Sequence, residues 1–534
     1  MAYTTYMSFL PRSHPGLVAA PTRLALTTPL ITRIARLAWW PALILLTLYA
    51  VFYLQYALQL IAYPFGVDQG EGYDTWSAWL LRIGQLPYTN NDVFPYYSSN
   101  YPPLWSALAS LPMTIFGPSI GAARAVSTWS TLLAAALIGL AAYRRVAGVR
   151  SASATLAGVL AGGLFLASPY VFHTTPLARV NSLALALALL ALVLIEVPSR
   201  RRVLLAGLTL VAALFTKPTA VDAVATGVMF LALATPTRLP ILLGVVVGLS
   251  GALFIALSAG TEGAFWTNTV VGNANAFDFS QLGTYLVNFV GLHGVLLVLA
   301  TIEMVRSIHG RRWSPWVLFF PIALVMSLTV GKWGAGESYF LSVIAATSVL
   351  AGSALATLPV TRRRPLGSDQ GDPDRTPRRS RSAAAFLGVA LLVQLIVMSH
   401  GPITDALPVL QDRGLQASLL GRGPSPEDRA LAIGIATRVA ERPGLILSEE
   451  PGFLLAIGKP VIGNTTHLRN LYQSGDWDPA GLITDINARR FDMIVLSAQL
   501  FPPPVLAAIG RSYNMDYAVK INGAPYYLFV PNQD

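Results

Sequence analysis

The chain has 534 residues, of which 54% are hydrophobic and only 12% charged, with no cysteine and a formal net charge of +11. The apolar excess excludes an ordinary water-soluble domain, and the lack of cysteine excludes disulfides and thiolate metal sites. The positive charge does not point to nucleic acid, because the basic residues sit in short loops between apolar runs, where a membrane protein sets its orientation.

Residues 1–36 carry Arg12, Arg23, Arg33 and Arg36 among several Pro and Thr. They read as a cytoplasmic tail, since the apolar run behind them is too long for the h-region of a cleaved signal. The first span, about 37–63, covers the roughly 20 residues that a bilayer requires. A first outer loop, 64–121, follows. Its segment DQGEGYDTWSAWLLRIGQLPYTNNDVFPYYSSNYPPL packs four acids, Asp68, Glu71, Asp74 and Asp92, into a chain poor in them. Carboxylates beside a bilayer are costly unless they face water, a partner or a substrate, so this cluster marks function. DTWSAWLLRIG and PPLWSALASLPMTIFG predict two amphipathic surface helices within the loop.

Ten more spans are predicted near 122–143, 152–168, 178–197, 203–216, 219–235, 239–258, 284–304, 314–331, 338–358 and 383–400, making eleven. The membrane domain so defined runs over 37–360 before the last span. Residues 361–382, TRRRPLGSDQGDPDRTPRRSRS, have the composition of a disordered, basic cytoplasmic linker. Beyond 400 the chain turns polar. GLILS, PVIG, FDMIVLS, YAVKI and YYLFV read as short strands, alternating with helical stretches near 426–441, 465–474, 478–489 and 502–511. This predicts a small extracytoplasmic α/β domain over 401–534. Glu449 and Glu450 after a strand end and the loop GDWDP would suit acceptor binding, the plainer reading being an accessory or lid domain without chemistry. It contains no P-loop, no G-x-G-x-x-G and no nucleophile elbow, which argues against a nucleotide site.

The charges orient the chain. With the N-terminus in the cytoplasm, Arg144, Arg145, Arg150, Arg200, Arg201, Arg202, Arg238, Arg306, Arg311, Arg312 and Arg362, Arg363 and Arg364 fall inside. Only Arg82, Arg124, Arg179, Lys217 and Lys332 are left outside among the spans. This is the positive-inside pattern of a multi-pass protein of the cytoplasmic membrane.

The polar residues near the outer face are then the candidates for chemistry. They are Asp68 and Glu71, Arg124, Arg179 with Asn181, Lys217, Asn273 with Asn275, and Lys332 with Glu337. Brought together, they would form an acid-and-base pocket for an anionic, amphiphilic ligand, the cations suiting a phosphate near the headgroups. Each also has a plainer reading. Asp68 and Glu71 would serve as solvated acids capping the next helix, and Lys217 and Lys332 as snorkelling anchors. Arg124 would orient its span, and Asn273 and Asn275 would form turns. Tyr96, Tyr97 and Tyr101 would sit in an interfacial belt, with His173 and His293 structural.

The order of DQGEG, LRIGQLPY, NYPPLWSAL, ARAVS, LARVNSLALALALLAL, FTKPTA and GKWGAGESYFL resembles the GT-C integral-membrane glycosyltransferases, in the protein O-mannosyltransferase and aminoarabinose-transferase branch. The resemblance covers about 68–355. It implies a GT-C fold of about eleven transmembrane helices, a polyprenyl-phosphate-linked sugar donor, and an acceptor (glycan, lipid or protein) at the outer face. It also implies a first-loop carboxylate as catalytic base. The adjacent Asp-Glu of that family is here Asp68-Gln69, with Glu at 71. Tyr101 stands where relatives carry a lysine that contacts the lipid phosphate, and Asn181 where they often carry an acid.

Sugar transfer from a lipid phosphate needs a base for the acceptor hydroxyl and cations for the leaving phosphate. Asp68 and Glu71, sharing a face at i, i+3 if helical, are the candidate bases. Arg124, Arg179, Lys217 and Lys332 are the candidate cations, so no cofactor is required. Asp68 and Glu71 would also serve as ligands of one divalent metal, with no His beside them. Two alternatives stand beside a transferase. One is a transporter or flippase of lipid-linked glycans, which the few ionisable groups in the deep spans and the lack of an inverted repeat disfavour. The other is a polymerase or ligase of surface glycans with a diphosphate-lipid donor.

Overall fold

The structure, a computed structural model, describes residues 37–148, 151–358, 378–406 and 421–533. The expected N-terminal tail and residues 361–377 of the expected linker lie outside the described residues. A helix stands at each of the eleven expected spans. They are α1 (Trp39–Ile61), α3 (Ile120–Val146), α4 (Ser151–Leu166), α5 (Asn181–Ile195), α6 (Arg200–Leu214), α7 (Val221–Ala234), α8 (Leu239–Gly260), α9 (Phe279–His309), α10 (Pro315–Ser327), α11 (Leu341–Thr357) and α12 (Arg378–Val397). In the first loop, α2 covers Gln69–Arg82. Among the described residues, five helices are long and apolar enough to cross a membrane alone, and shorter apolar helices accompany them. The chain is a multi-pass membrane protein.

Two helices show how the bundle is built. Along α11 almost every side chain is buried, and its sequence is rich in Ala, Ser and Gly. Small residues allow close approach: a Cβ on Gly352 would fall 2.8 Å from Cβ of Ala161 on α4. Along α8, by contrast, only Leu242 and Val246 are buried, so its apolar surface is turned outward, as suits lipid contact.

The two ends of the bundle differ in charge. Ser119 caps α3 by accepting from the Ala122 N–H, and Arg124 lies in its first turns. Arg144 and Arg145 close its last turn, pairing with Glu196 at 3.8 Å and Glu303 at 3.4 Å. The first loop therefore sits at the end opposite these arginines.

The C-terminal region holds β1 (Leu445–Ser448), β2 (Phe491–Leu496), β3 (Tyr513–Ile521) and β4 (Ala524–Pro531). Their order is β1-β2-β4-β3, with β1 parallel to β2 and the other pairs antiparallel. The helices α13 (Pro426–Ala440), α14 (Thr465–Ser474), α15 (Ala480–Asn487) and α16 (Pro503–Ser512) match the expected stretches. PVIG does not form a strand. Pro460 has no N–H to give a ladder, and the Gly463 N–H donates instead to Pro95 O of the first loop at 2.9 Å.

That contact is one of many by which the C-terminal domain sits on the first loop. Trp477 Nε1 donates to Asn91 O at 2.8 Å, Asn464 Nδ2 to Ser98 O at 3.1 Å, and Gln69 Nε2 to Thr465 Oγ1 at 2.8 Å. Tyr96 and Tyr97, expected in an interfacial belt, are buried in this junction. Tyr96 OH donates to Asp485 at 2.8 Å and Tyr97 OH to Tyr73 O at 2.7 Å.

Candidate functional site

Asp68 is the N-cap of α2, with extended backbone at φ −131° and ψ 130°. The chain turns there, so Asp68 and Glu71 do not share a face as a continuous helix would have them do. Glu71 points into the protein and is fully buried. Its two oxygens accept from Arg124 Nε at 2.7 Å and Nη2 at 2.6 Å. They also accept from the backbone N–H groups of Ala178 at 2.8 Å, Val67 at 3.0 Å and Asp68 at 3.3 Å.

Arg124, fully buried as well, spends its remaining donors on Leu60 O, Tyr63 O and Phe65 O at 2.5, 2.7 and 2.8 Å. Burial works to raise the Glu71 pKa, but Arg124 and the backbone donors outweigh it and hold the carboxyl below its usual range. This pair ties the end of α1, the start of α2, α3 and the 178 turn into one joint. Its donors and acceptors are spent within the protein. Glu71 therefore has no lone pair turned toward a ligand shared with Asp68, and Arg124 offers no N–H to a phosphate.

Asp68 faces the other way, into an open cluster. Arg179 Nη1 donates to Asp68 Oδ2 at 3.0 Å, while its Nε lies 3.2 Å from Asp74 Oδ2. The Asp68 side chain keeps 36% of its surface accessible and Arg179 keeps 22%, whereas Asp74 is buried. Burial raises the pKa of Asp68, opposed by Arg179. Burial raises Asp74 further, to about 7, with Arg179 opposing and Asp68 adding to the rise. For Arg179, burial opposes the charge but Asp74 and Asp68 outweigh it, so the guanidinium stays charged. Tyr101 turns its hydroxyl to the same guanidinium. Gly70 makes the approach possible: a Cβ there would fall on the Arg179 guanidinium.

Lys217 stands beside this cluster. Its Nζ donates to Asn181 Oδ1 at 2.7 Å and lies 4.5 Å from the centre of the Tyr339 ring. Burial first, then Arg179, lowers its pKa to about 7, opposed by Asp74. Below it, Asn181, Lys217, Asp222 and Ser342 line a cavity of about 30 Å³, room for one water.

Lys332 is at the edge of the group. Its Nζ donates to Asn273 O at 2.7 Å, and Asn273 Nδ2 in turn donates to Asn100 O at 2.8 Å. Asn275 Nδ2 donates to Trp333 O at 2.8 Å, so both asparagines tie loops together. Glu337 is buried near Tyr170 and Tyr285. His293, expected to be structural, shares a 2.9 Å hydrogen bond with Ser168 inside the bundle.

The structure thus brings Asp68, Arg179, Tyr101, Asn181 and Lys217 together, sets Glu71 and Arg124 aside as a sealed joint, and adds two acids. Asp74 stood in view within the acidic stretch, but at i, i+6 from Asp68 it carried no helical-face signal. Glu450 comes from the C-terminal domain, where it caps the short Pro451–Ala456 helix and accepts from the Gly452 N–H at 3.1 Å. It is buried against Gly66, where a Cβ would strike its carboxyl. Burial raises its pKa to about 8, with Glu71 and Asp68 adding to the rise. Among the described residues no group of three or more His, Cys, Asp or Glu is placed to hold a metal ion.

No family model matches the chain, and no curated protein matches it. Solved structures do. ArnT from Cupriavidus metallidurans bound to undecaprenyl phosphate superposes with a TM-score of 0.58 at 15% identity, over 91% of this chain and 97% of that one. The apo form of the same protein gives 0.55 at 14% identity, over 90% and 98%. The Archaeoglobus fulgidus oligosaccharyltransferase tethered with an acceptor peptide gives 0.49 at 14% identity, over 93% of this chain and 74% of that one. The fold expected from the first-loop and span motifs, GT-C with a small C-terminal domain, is the fold of ArnT over nearly the whole of both chains.

Proposed function

We propose that this chain is a membrane glycosyltransferase that moves a sugar from a polyprenyl-phosphate-linked donor to an acceptor at the outer face of the membrane. The observation that carries the reading is the open cluster: an accessible carboxylate, Asp68, held by Arg179 beside the buried ammonium of Lys217. The likeness to ArnT bound to undecaprenyl phosphate supports the lipid-phosphate donor. The N-terminus is then cytoplasmic and the C-terminal domain extracytoplasmic.

In this reading Asp68 takes the proton of the acceptor hydroxyl as its oxygen attacks the anomeric carbon. The bond from that carbon to the phosphate oxygen breaks, and Lys217 and Lys332 receive the charge of the leaving polyprenyl phosphate. Arg179 orients Asp68 and opposes the burial that raises its pKa, while Asp74 holds Arg179 from the other side. Glu71 and Arg124 act as the joint beneath.

The test is transfer by membranes containing the protein, supplied with a panel of radiolabelled polyprenyl-phosphate sugars. One of them should label an acceptor with wild-type protein, and Asp68→Asn should lower that labelling by on the order of 10²–10⁴. Labelling by no donor of the panel, or full labelling by Asp68→Asn, would contradict the proposal.

A further inference from the structure

At the end of the bundle away from Asp68, the ends of α3, α5 and α9 and the turn into α10 meet around a cavity of about 200 Å³. It is lined by Arg145, Glu196, Glu303, Ser307, Arg312 and Trp313, among others. None of these residues has a part in the transfer chemistry. Arg145 keeps only 9% of its side chain exposed. Its Nη1 donates to Ser314 Oγ at 2.5 Å, and its Nη2 to Ser307 Oγ at 3.0 Å and Glu303 Oε1 at 3.4 Å. Its Nε is buried without a hydrogen-bond partner.

Glu303 is matched by Arg145 and, at 3.4 Å, by Arg306. Glu196 is matched less closely: Arg144 stands 3.8 Å away, and the Arg145 guanidinium and the Trp316 indole lie beside it. Arg312 follows Arg311, which is held in left-handed backbone at φ 52°, and Arg312 is itself exposed. Trp313 is 46% exposed, as suits a residue at the boundary of a bilayer.

Two arginines and two glutamates line the cavity, so it is balanced in charge rather than basic. An exposed guanidinium, Arg312, and a partly exposed carboxylate, Glu196, in one cavity suit a ligand that carries both signs. A purely anionic headgroup would meet the arginines and leave Glu196 facing a phosphate. A quaternary ammonium would give Glu196 no N–H donor, whereas a primary ammonium gives three. We propose that this cavity holds the headgroup of a phosphatidylethanolamine of the inner leaflet. Its phosphate is taken by exposed Arg312, with the buried Arg145 guanidinium adding its charge behind, and its ammonium by Glu196.

The full chain, purified in detergent and stripped of lipid, is titrated with phosphatidylethanolamine, phosphatidylglycerol and soluble O-phosphoethanolamine, followed by native mass spectrometry and thermal melting. Phosphatidylethanolamine should be retained and raise the melting temperature, and phosphatidylglycerol should bind about tenfold more weakly for the lost charge-assisted pair. Glu196→Gln should abolish that preference, and Arg312→Gln, at an exposed position, should weaken both lipids. Equal binding of the two lipids by wild type, or a preference that survives Glu196→Gln, would overturn the proposal. Stabilisation by O-phosphoethanolamine as strong as by the lipid would overturn the lipid as its source. These readouts are independent of sugar transfer.

Discussion

Two arginine–acid clusters hang from the same turn of chain, and they are built oppositely. Glu71 and Arg124 are both fully buried, joined by two short hydrogen bonds, with every other donor and acceptor given to backbone. Asp68, Arg179 and Asp74 are joined by fewer contacts, and both Asp68 and Arg179 remain partly open. A charge pair that spends all its valences inside the protein can hold a fold but has nothing left for a substrate. A pair that leaves an accessible oxygen beside a tuned cation can do chemistry. The comparison separates residues that sequence spacing alone treats as equivalent.

The largest expected effect lies in the sealed joint. Arg124→Ala leaves the buried Glu71 carboxylate uncompensated, which costs about 3–5 kcal/mol. The protein should unfold at a markedly lower temperature in detergent, whatever donor is present. A melting temperature equal to that of wild type would remove the structural role assigned to this pair.

Gly70→Ala sharpens the contrast from the other side. The new methyl displaces Arg179 and with it Asp68, and misplacement of a catalytic group by about 1 Å costs on the order of 10²-fold in rate. Transfer should fall by that order while the melting temperature stays close to wild type. Unchanged transfer would show that the position of Arg179 does not matter.

A smaller change is expected at Lys217. Lys217→Met should raise the donor concentration needed for half-maximal transfer by about tenfold, for one lost charge-assisted contact. Because burial sets its pKa near 7, wild type should lose affinity for the anionic donor as pH rises past 7, where the lysine becomes neutral. The Met variant should lack that dependence, and an identical pH profile for both would place the phosphate elsewhere.

The smallest effect concerns Asp74, whose folded-state pKa of about 7 exceeds the ordinary 3.8. A carboxyl raised on folding favours the folded state most fully below its unfolded pKa, and that contribution is lost as pH rises toward 7. Wild-type stability should therefore decline between about pH 4 and 7 more steeply than that of Asp74→Asn, as chemical denaturation at several pH values would read. Parallel curves would mean that Asp74 is ionised throughout.

The spans were legible because a helix in a bilayer needs a long apolar run, and such runs survive in sequence whatever packs beside them. The helices of the C-terminal domain were legible for similar local reasons, α14 to its end residues. The division of labour within the site was not. Glu71 meets Arg124 across 53 positions, and Arg179 meets Asp68 across 111. No local periodicity encodes such partners. Glu450 stood in view with Glu449 after a strand end, but its place beside the first loop depends on how the C-terminal domain docks. PVIG misled because buried Val461 and Ile462 look like strand residues while Pro460 denies the ladder its donor.

The central claim is that Asp68 is chemical and Glu71 structural, and one paired measurement tests it. Asp68→Asn and Glu71→Gln are purified in parallel, and each is scored for both sugar transfer and thermal unfolding. Transfer should collapse in Asp68→Asn with the melting temperature nearly kept, whereas Glu71→Gln should lose several degrees or more of stability. Full transfer by Asp68→Asn, together with a stable but inactive Glu71→Gln, would contradict the account and return the base to Glu71.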